Sequence, residues 1–220
     1  MDDKESEKIA NAVAEKIRRR DMIKLKLNTD HEIFTRLLAL FRFSKRMEDP
    51  DLFQEFTREI SEIEQEFKKS VQRRWSYIML HHSLTQDGQT VSWDAIRRWH
   101  MGMHPDSPYQ NKPMDDIGYH YGIELVDYHY EVMVGRDLDQ DGAHCFQGGM
   151  NHKAIGICFV GNFDLAPPPA AQWERGLRFV ASLMRILDIP VVVAHRDFNP
   201  GKSCPGKFFN MDLFRQGLAL

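Results

Sequence analysis

Residues 168–196 read PPAAQWERGLRFVASLMRILDIPVVVAHR. Two prolines open the stretch, Trp173, Leu177, Val180, Met184 and Leu187 recur at helical spacing, and Pro190 stops the pattern. The β-branched run that follows, residues 191–193, ends in Ala194 and His195. A helix with one apolar stripe feeding directly into a short buried strand is the repeating unit of a layered α/β fold. The same alternation recurs upstream. WSYIMLHHS (75–83) is read as a buried strand ending in histidines. GYHYGIELVD (118–127), YHYEVMVGR (128–136) and AIGICFVGN (154–162) are read as three more strands. Between the first two, SWDAIRRWHM (92–101) carries an N-capping serine and the helical spacing of Trp93, Ile96, Trp99 and His100. Residues 75–220 are therefore expected to form an α/β domain, a central mixed sheet flanked by helices.

Residues 1–74 read differently, as a mixed-charge helical N-terminal extension. Of the ten histidines only His31 lies before residue 76. Ile9, Val13 and Ile17 share a helical face, and Thr29 with Glu32 makes a capping box ahead of IFTRLLALF. The basic run at 18–20 is a solvated helix end flanked by acids. Asp49-Pro50 starts a further helix in which Phe53, Phe56, Ile60, Ile63 and Phe67 are spaced three and four apart, a coiled-coil-like seam. Such a seam needs a partner: the neighbouring helix, the α/β domain, or a second copy in a homo-oligomer.

Composition narrows the function. A net charge of −3 gives no global pull toward nucleic acid. No apolar run is long enough to span a bilayer, so no membrane partner is expected. The acidic, amphipathic start MDDKESEKIANAV is not a Sec-type signal, which points to a cytoplasmic protein. Cys145, Cys158 and Cys204 are an odd number, poorly suited to a disulfide framework and better suited to a reducing compartment or to metal chemistry.

The chemistry collects where strands end. Two of the expected strands finish in histidine, at His81-His82 and at His195, and Cys204 follows on the Pro/Gly-rich loop AHRDFNPGKSCPG. Two imidazoles and one thiolate make a three-ligand zinc set with a fourth place left for water, whose pKa such a site brings to about 7. Two other readings compete on spacing alone. One is a pair of satisfied core histidines beside an inert cysteine. The other is a cysteine hydrolase in which His195 activates Cys204.

IMLHHS, DIGYHYGI, GAHCFQGGMNHKAIGICFVGN and AHRDFNPGKSCPG, in that order, resemble the type 2 zinc-dependent N-acetylmuramoyl-L-alanine amidases, a family that includes phage endolysins and animal peptidoglycan recognition proteins. The resemblance spans about residues 75–215 and finds no counterpart for residues 1–74. It implies the amidase/peptidoglycan recognition protein-like fold, Zn²⁺ held by His81, His195 and Cys204, and catalytic roles for Tyr119 and Lys202. It implies hydrolysis of the amide joining the lactyl group of N-acetylmuramic acid to L-alanine, so that the partner is peptidoglycan or a soluble muropeptide. His144, Asn151 and His152 fall in the segment that lines the family's substrate groove, and either contact substrate or bond nearby backbone. His82 and His120 alternate away from His81 and Tyr119 and are expected in the core, with Trp99 and Cys158. Asp197 is expected to orient a loop. The turn DYHY lacks the usual Asp-Gly, which predicts a longer or differently shaped hairpin. An endolysin released from the host cytoplasm to the wall through a holin lesion is the favoured biology. A cytosolic recycling amidase and a non-catalytic peptidoglycan-binding module are the alternatives.

Overall fold

Side-chain alternation along the first strand divides the molecule into two layers. The computed structural model describes residues 50–85 and 92–218. In it β1 (Tyr77–His82) commits Ile78 and Leu80 to a large core on one face and Met79 to a smaller one on the other. With β2 (Tyr121–Val126), β3 (His129–Val134), β4 (Ala154–Phe159) and β5 (Val191–Ala194) it forms a five-stranded sheet ordered β3-β2-β4-β1-β5. β1 runs parallel to β4 and β5, β2 runs parallel to β4, and β3 closes the edge antiparallel to β2. The sheet is mixed, as expected. Its interior strands are buried along most of their length because both faces are covered.

The α-helices among the described residues are α1 (Pro50–Ser70), α2 (Trp93–His100), α3 (Met150–Lys153), α4 (Ala170–Leu187), α5 (His195–Phe198) and α6 (Met211–Leu218). α4 covers one face, burying Phe179, Val180, Leu183 and Ile186 against Leu80, Ile157 and Phe159. Sequence spacing placed Trp173, Leu177, Val180, Met184 and Leu187 toward the sheet. Of these only Val180 is fully buried, and the true inward stripe is Gln172, Gly176, Phe179, Leu183 and Ile186. Gln172 explains the rotation. Its Nε2 donates to Ile123 O (3.0 Å) and Val160 O (2.8 Å), turning a polar residue inward to close the ends of β2 and β4. Trp173 is left on the flank, where its ring meets Phe209 and Phe214 at about 5 Å.

α2 covers the opposite face, its Trp93 and Ile96 packed with Ile117, Cys158 and Val160. Ser92 Oγ caps it by accepting from Ala95 N at 3.2 Å, and buried Glu124 accepts from Trp93 N at 3.1 Å. Trp99, expected in the core, is instead 36% exposed, its ring 5.1 Å from that of His104. It falls on the outer side of a helix only eight residues long.

The β2–β3 hairpin, expected to be longer or differently shaped, is not longer. Val126 pairs with His129, leaving a two-residue turn in which Asp127 takes the left-handed conformation at φ 54°. Aspartate tolerates that region, so Asp-Tyr serves where Asp-Gly was looked for. Tyr128 stands at the tip, 92% exposed.

α1 begins at Pro50, and the later part of its seam, Ile60, Ile63 and Phe67, finds a partner within the chain; the side chains of Phe53 and Phe56 lie outside the described residues. Ile63 and Phe67 belong to the same buried cluster as Leu80 and Phe179. Arg185 reaches Glu64, and Lys68 reaches Asp188, along the flank of α4. The helices expected before residue 50, including Ile9, Val13, Ile17 and the Thr29–Glu32 box, lie outside the described residues. Among the described residues no helix is long and apolar enough to cross a membrane.

Candidate metal centre and active site

Parallel pairing brings the two histidine-bearing strands side by side. Leu80 pairs with Ala194, so the residues that follow, His81 and His195, emerge together at the carboxyl edge of the sheet. Their ring centroids are 4.8 Å apart. The loop after α5 folds back on its own start, with Arg196 N donating to Cys204 O at 2.9 Å, and carries Cys204 into the same place. One ligand atom from each of His81, His195 and Cys204 lies within 4.8 Å of the others, a group that could hold a metal ion. Cys204 Sγ is 3.6 Å from His81 Nδ1. A tetrahedral ion bonded at about 2.0 Å to nitrogen and 2.3 Å to sulfur separates those donors by roughly 3.5 Å, so the residues fit such an ion.

Burial sets the protonation of the donors. It holds His81 well below the ordinary imidazole range, reinforced by neighbouring His144 and His195. His195 is lowered by burial and then by Lys202. Both rings are therefore neutral lone-pair donors at pH 7. Burial pushes the Cys204 thiol up to about 12. A thiol held that tightly protonated is a poor nucleophile, and its ring partner at hydrogen-bond range is His81 rather than His195. The cysteine-hydrolase reading loses its footing on both counts.

Tyr119 sits beside the cluster, its ring centroid 5.2 Å from that of His81. Burial raises its phenol well above the usual value, and the hydroxyl shares a hydrogen bond with the Cys158 thiol. Its backbone is fixed from β3's end by Arg136 N donating to Tyr119 O at 3.0 Å. Lys202 is exposed on the Cys204 loop, near enough to depress His195. His82 points the other way, as alternation predicted: its Nδ1 accepts from Phe163 N at 3.2 Å, while its backbone N–H is directed at Cys204 Sγ at 3.4 Å.

The N-acetylmuramoyl-L-alanine amidase family model matches residues 71–207. The chain belongs to that family. The amidase is 30% identical to the endolysin of Klebsiella phage KP32 over 135 residues, 59% of this chain and 80% of the relative. Among solved structures, the endolysin amidase LysCS of Clostridium intestinale superposes with a TM-score of 0.55 at 22% identity, over 67% of this chain and 86% of that one. Peptidoglycan recognition protein-LE, solved in complex with tracheal cytotoxin, superposes at 0.52 with 20% identity, over 65% of this chain and 81% of that one. At those identities the two structures speak for the fold.

His144, Asn151 and His152, expected either to contact substrate or to bond nearby backbone, differ in their placement in this amidase. His144 is buried, its Nδ1 3.1 Å from His81 Nε2 and its Nε2 3.1 Å from Ala154 O. Asn151 uses Oδ1 to accept from the backbone N–H groups of His144 and Cys145, at 2.8 and 2.7 Å. His152 is exposed and paired with Asp141, which also meets Arg73. Backbone bonding, not an open groove, describes Asn151 and half of His144.

Two further residues shape the centre without having been singled out in the sequence. Arg196 donates from Nη1 to Ser203 O (3.1 Å) and Gly206 O (2.8 Å), and from Nη2 to Phe209 O (3.2 Å). It clamps both sides of Cys204. Asp164 accepts from Ser203 Oγ at 2.6 Å and from Lys207 N at 2.8 Å, anchoring the same loop. Asp197, expected to orient a loop, accepts from Ala194 N at the end of β5 at 2.9 Å.

The buried imidazoles make the fold acid-sensitive. His120 accepts from Gly156 N at Nδ1 (3.0 Å) and lies 3.2 Å from Gln140 O at Nε2; burial lowers its pKa to about 4. His100, accepting from Gly118 N at 3.0 Å, is lowered by burial to about 4 as well. The unfolded chain binds these two protons near pH 6.5 and the native one only near 4, so stability is complete above 6.5 and falls as pH drops toward 4. The loss is on the order of 3 kcal/mol per ring. Urea unfolding of metal-free protein is expected to show a midpoint at pH 4.5 well below that at pH 7.5; equal midpoints would refute the account.

Proposed function

We propose that this amidase is a zinc enzyme of the endolysin kind, which hydrolyses the bond between the lactyl group of N-acetylmuramic acid and the L-alanine of the stem peptide. One observation carries the reading: two imidazole nitrogens and a cysteine sulfur converge within 4.8 Å at the carboxyl edge of the sheet. That donor set, nitrogen and soft sulfur in tetrahedral range, suits zinc better than magnesium or calcium, which take oxygen. His81, His195 and Cys204 would hold it. Zinc bound there supplies Lewis acidity toward the scissile carbonyl and brings water into reach of ionisation near neutral pH.

The chain's own residues do the rest. Tyr119, kept protonated by burial, offers a phenolic O–H beside the cluster where a carbonyl oxygen gains charge. Lys202 offers an ammonium from the exposed side of the same loop, a second positive group for that oxygen. His82 N–H, directed at Cys204 Sγ, favours the sulfur as a thiolate. The likeness to the Klebsiella phage endolysin, covering most of that protein, favours a wall-lysing role over recycling.

The deciding experiment gives purified full-length protein intact sacculi and, separately, soluble muropeptides, and counts new L-alanine amino termini together with zinc per chain. Rapid release from sacculi, abolished by a chelator and restored by zinc, is expected. Cleavage confined to soluble muropeptides would make this a recycling amidase, and binding without release would make it a non-catalytic module.

A further inference from the structure

The hydrogen bonds around His144 leave His81 one arrangement of its protons. Ala154 O is a carbonyl and can only accept, so His144 Nε2, 3.1 Å away, carries the hydrogen. A neutral ring with its hydrogen on Nε2 has a bare Nδ1. That atom lies 3.1 Å from His81 Nε2, so His81 Nε2 is the donor. The remaining nitrogen of His81, Nδ1, then holds a free lone pair, and this is the atom 3.6 Å from Cys204 Sγ.

The pocket around His144 is built to its ring. Gly142 and Gly156 flank it: a Cβ on either glycine would overlap the imidazole. Asn151 fixes the backbone by accepting from His144 N at 2.8 Å, so the ring's position is set from its own main chain as well as from both sides. The acceptor at the far end, Ala154 O, belongs to the first residue of β4, the strand that pairs with β1. Sheet pairing thereby sets the distance over which the two rings must reach.

We infer that His144 is a positioning residue that locks His81 in its Nε2–H form and aims Nδ1 at the ion. The inference rests on His81 being a metal ligand. Without the acceptor, His81 is free to carry its hydrogen on Nδ1, the wrong nitrogen for coordination, or to turn its ring. Losing a partner of this kind typically weakens metal binding 10–100-fold.

The test uses the full chain with ¹⁵N-labelled histidine. In metal-free wild type, long-range ¹H–¹⁵N correlation should find His81 as the Nε2–H form; finding Nδ1–H overturns the inference whatever happens with metal. Zinc affinity, measured by chelator competition, should fall about 10–100-fold in His144→Phe, which keeps an aromatic ring but not the acceptor. His144→Gln, whose amide can both accept and donate, should recover most of that loss. His144→Phe binding zinc as tightly as wild type would also overturn it. Should His144→Phe fail to fold, the wild-type spectrum still decides. Absence of zinc uptake by wild type would instead sink the zinc reading, while the tautomer spectrum continues to report on His144 alone.

Discussion

Cys204→Ser is expected to lose its zinc and, with it, on the order of 10³-fold in turnover on muropeptide, while the fold survives. The several kcal/mol that a bound ion contributes to an amide-cleaving transition state convert to about that factor. The substitution is nearly isosteric, so neither the Arg196 clamp on Ser203 O, Gly206 O and Phe209 O nor the Asp164 anchor is disturbed. What changes is the donor: a serine hydroxyl is not deprotonated near neutral pH and is a poor substitute for thiolate. Wild-type loading should also carry a pH signature. The Cys204 thiol sits at about 12 before metal arrives, and the two rings are already neutral at pH 7, so uptake expels one proton. Affinity should therefore rise about tenfold per pH unit between 7 and 9 in wild type. The rival mechanisms separate cleanly. A cysteine nucleophile would lose activity in Cys204→Ser yet keep whatever metal it had, and a non-catalytic binder would show no change in turnover to lose. Metal content by elemental analysis beside turnover of alanine-terminus release distinguishes all three. A metal-free sample that still cleaves muropeptides would end the zinc reading.

Much of this centre was legible because its signals are local. A strand ending in histidine, a soft ligand on the loop beyond, and Ser92 ahead of an amphipathic helix are each written within about ten residues, and periodicity of two or 3.6 reads them directly. Donor chemistry alone left rival readings open for His81, His195 and Cys204; the family resemblance implied the set, and the parallel register of β1 and β5 is what brings the two histidines together. What sequence could not reach was the direction of side chains whose partners lie far along the chain. His144 and His81 are 63 residues apart, and nothing near either says that one ring accepts from the other. Arg196 sits between two residues that were singled out, yet its role appears only when the loop returns to present three carbonyls. The inward face of α4 differs from the apolar spacing because that spacing ignores a glutamine whose Nε2 donates to two backbone carbonyls in the core. A polar residue turned into the core is invisible to a hydrophobic pattern.

The second large effect concerns α1, which the family match leaves outside. Phe67→Ala is expected to cost about 3–5 kcal/mol and to lower the melting temperature by on the order of 10 °C, with little change in turnover measured well below the transition. Phe67 is fully buried, and it shares one cluster with Ile78 and Leu80 of β1 and with Phe179, Leu183 and Ile186 of α4. Truncation to alanine removes most of a ring from that cluster and leaves a cavity that the sheet and α4, both anchored elsewhere, cannot close. Against a typical total stability of about 5–15 kcal/mol this is a large fraction. Of the ion pairs alongside, Arg185 grips the largely buried Glu64 carboxylate with two nitrogens, whereas Lys68 with Asp188 sits at the surface, where such pairs contribute about 0–1 kcal/mol. Lys68→Gln should therefore shift the melting temperature by only about a degree or two, and that contrast is the control. Turnover should hold because the cluster occupies the α4 face of β1, whereas His81 projects from the other. Removing residues 1–74 takes Ile63 and Phe67 together, and the shortened chain should unfold at a lower temperature than either single variant. A Phe67→Ala protein melting with wild type would show instead that α1 merely rests on the domain, and the core would have to be redrawn without it.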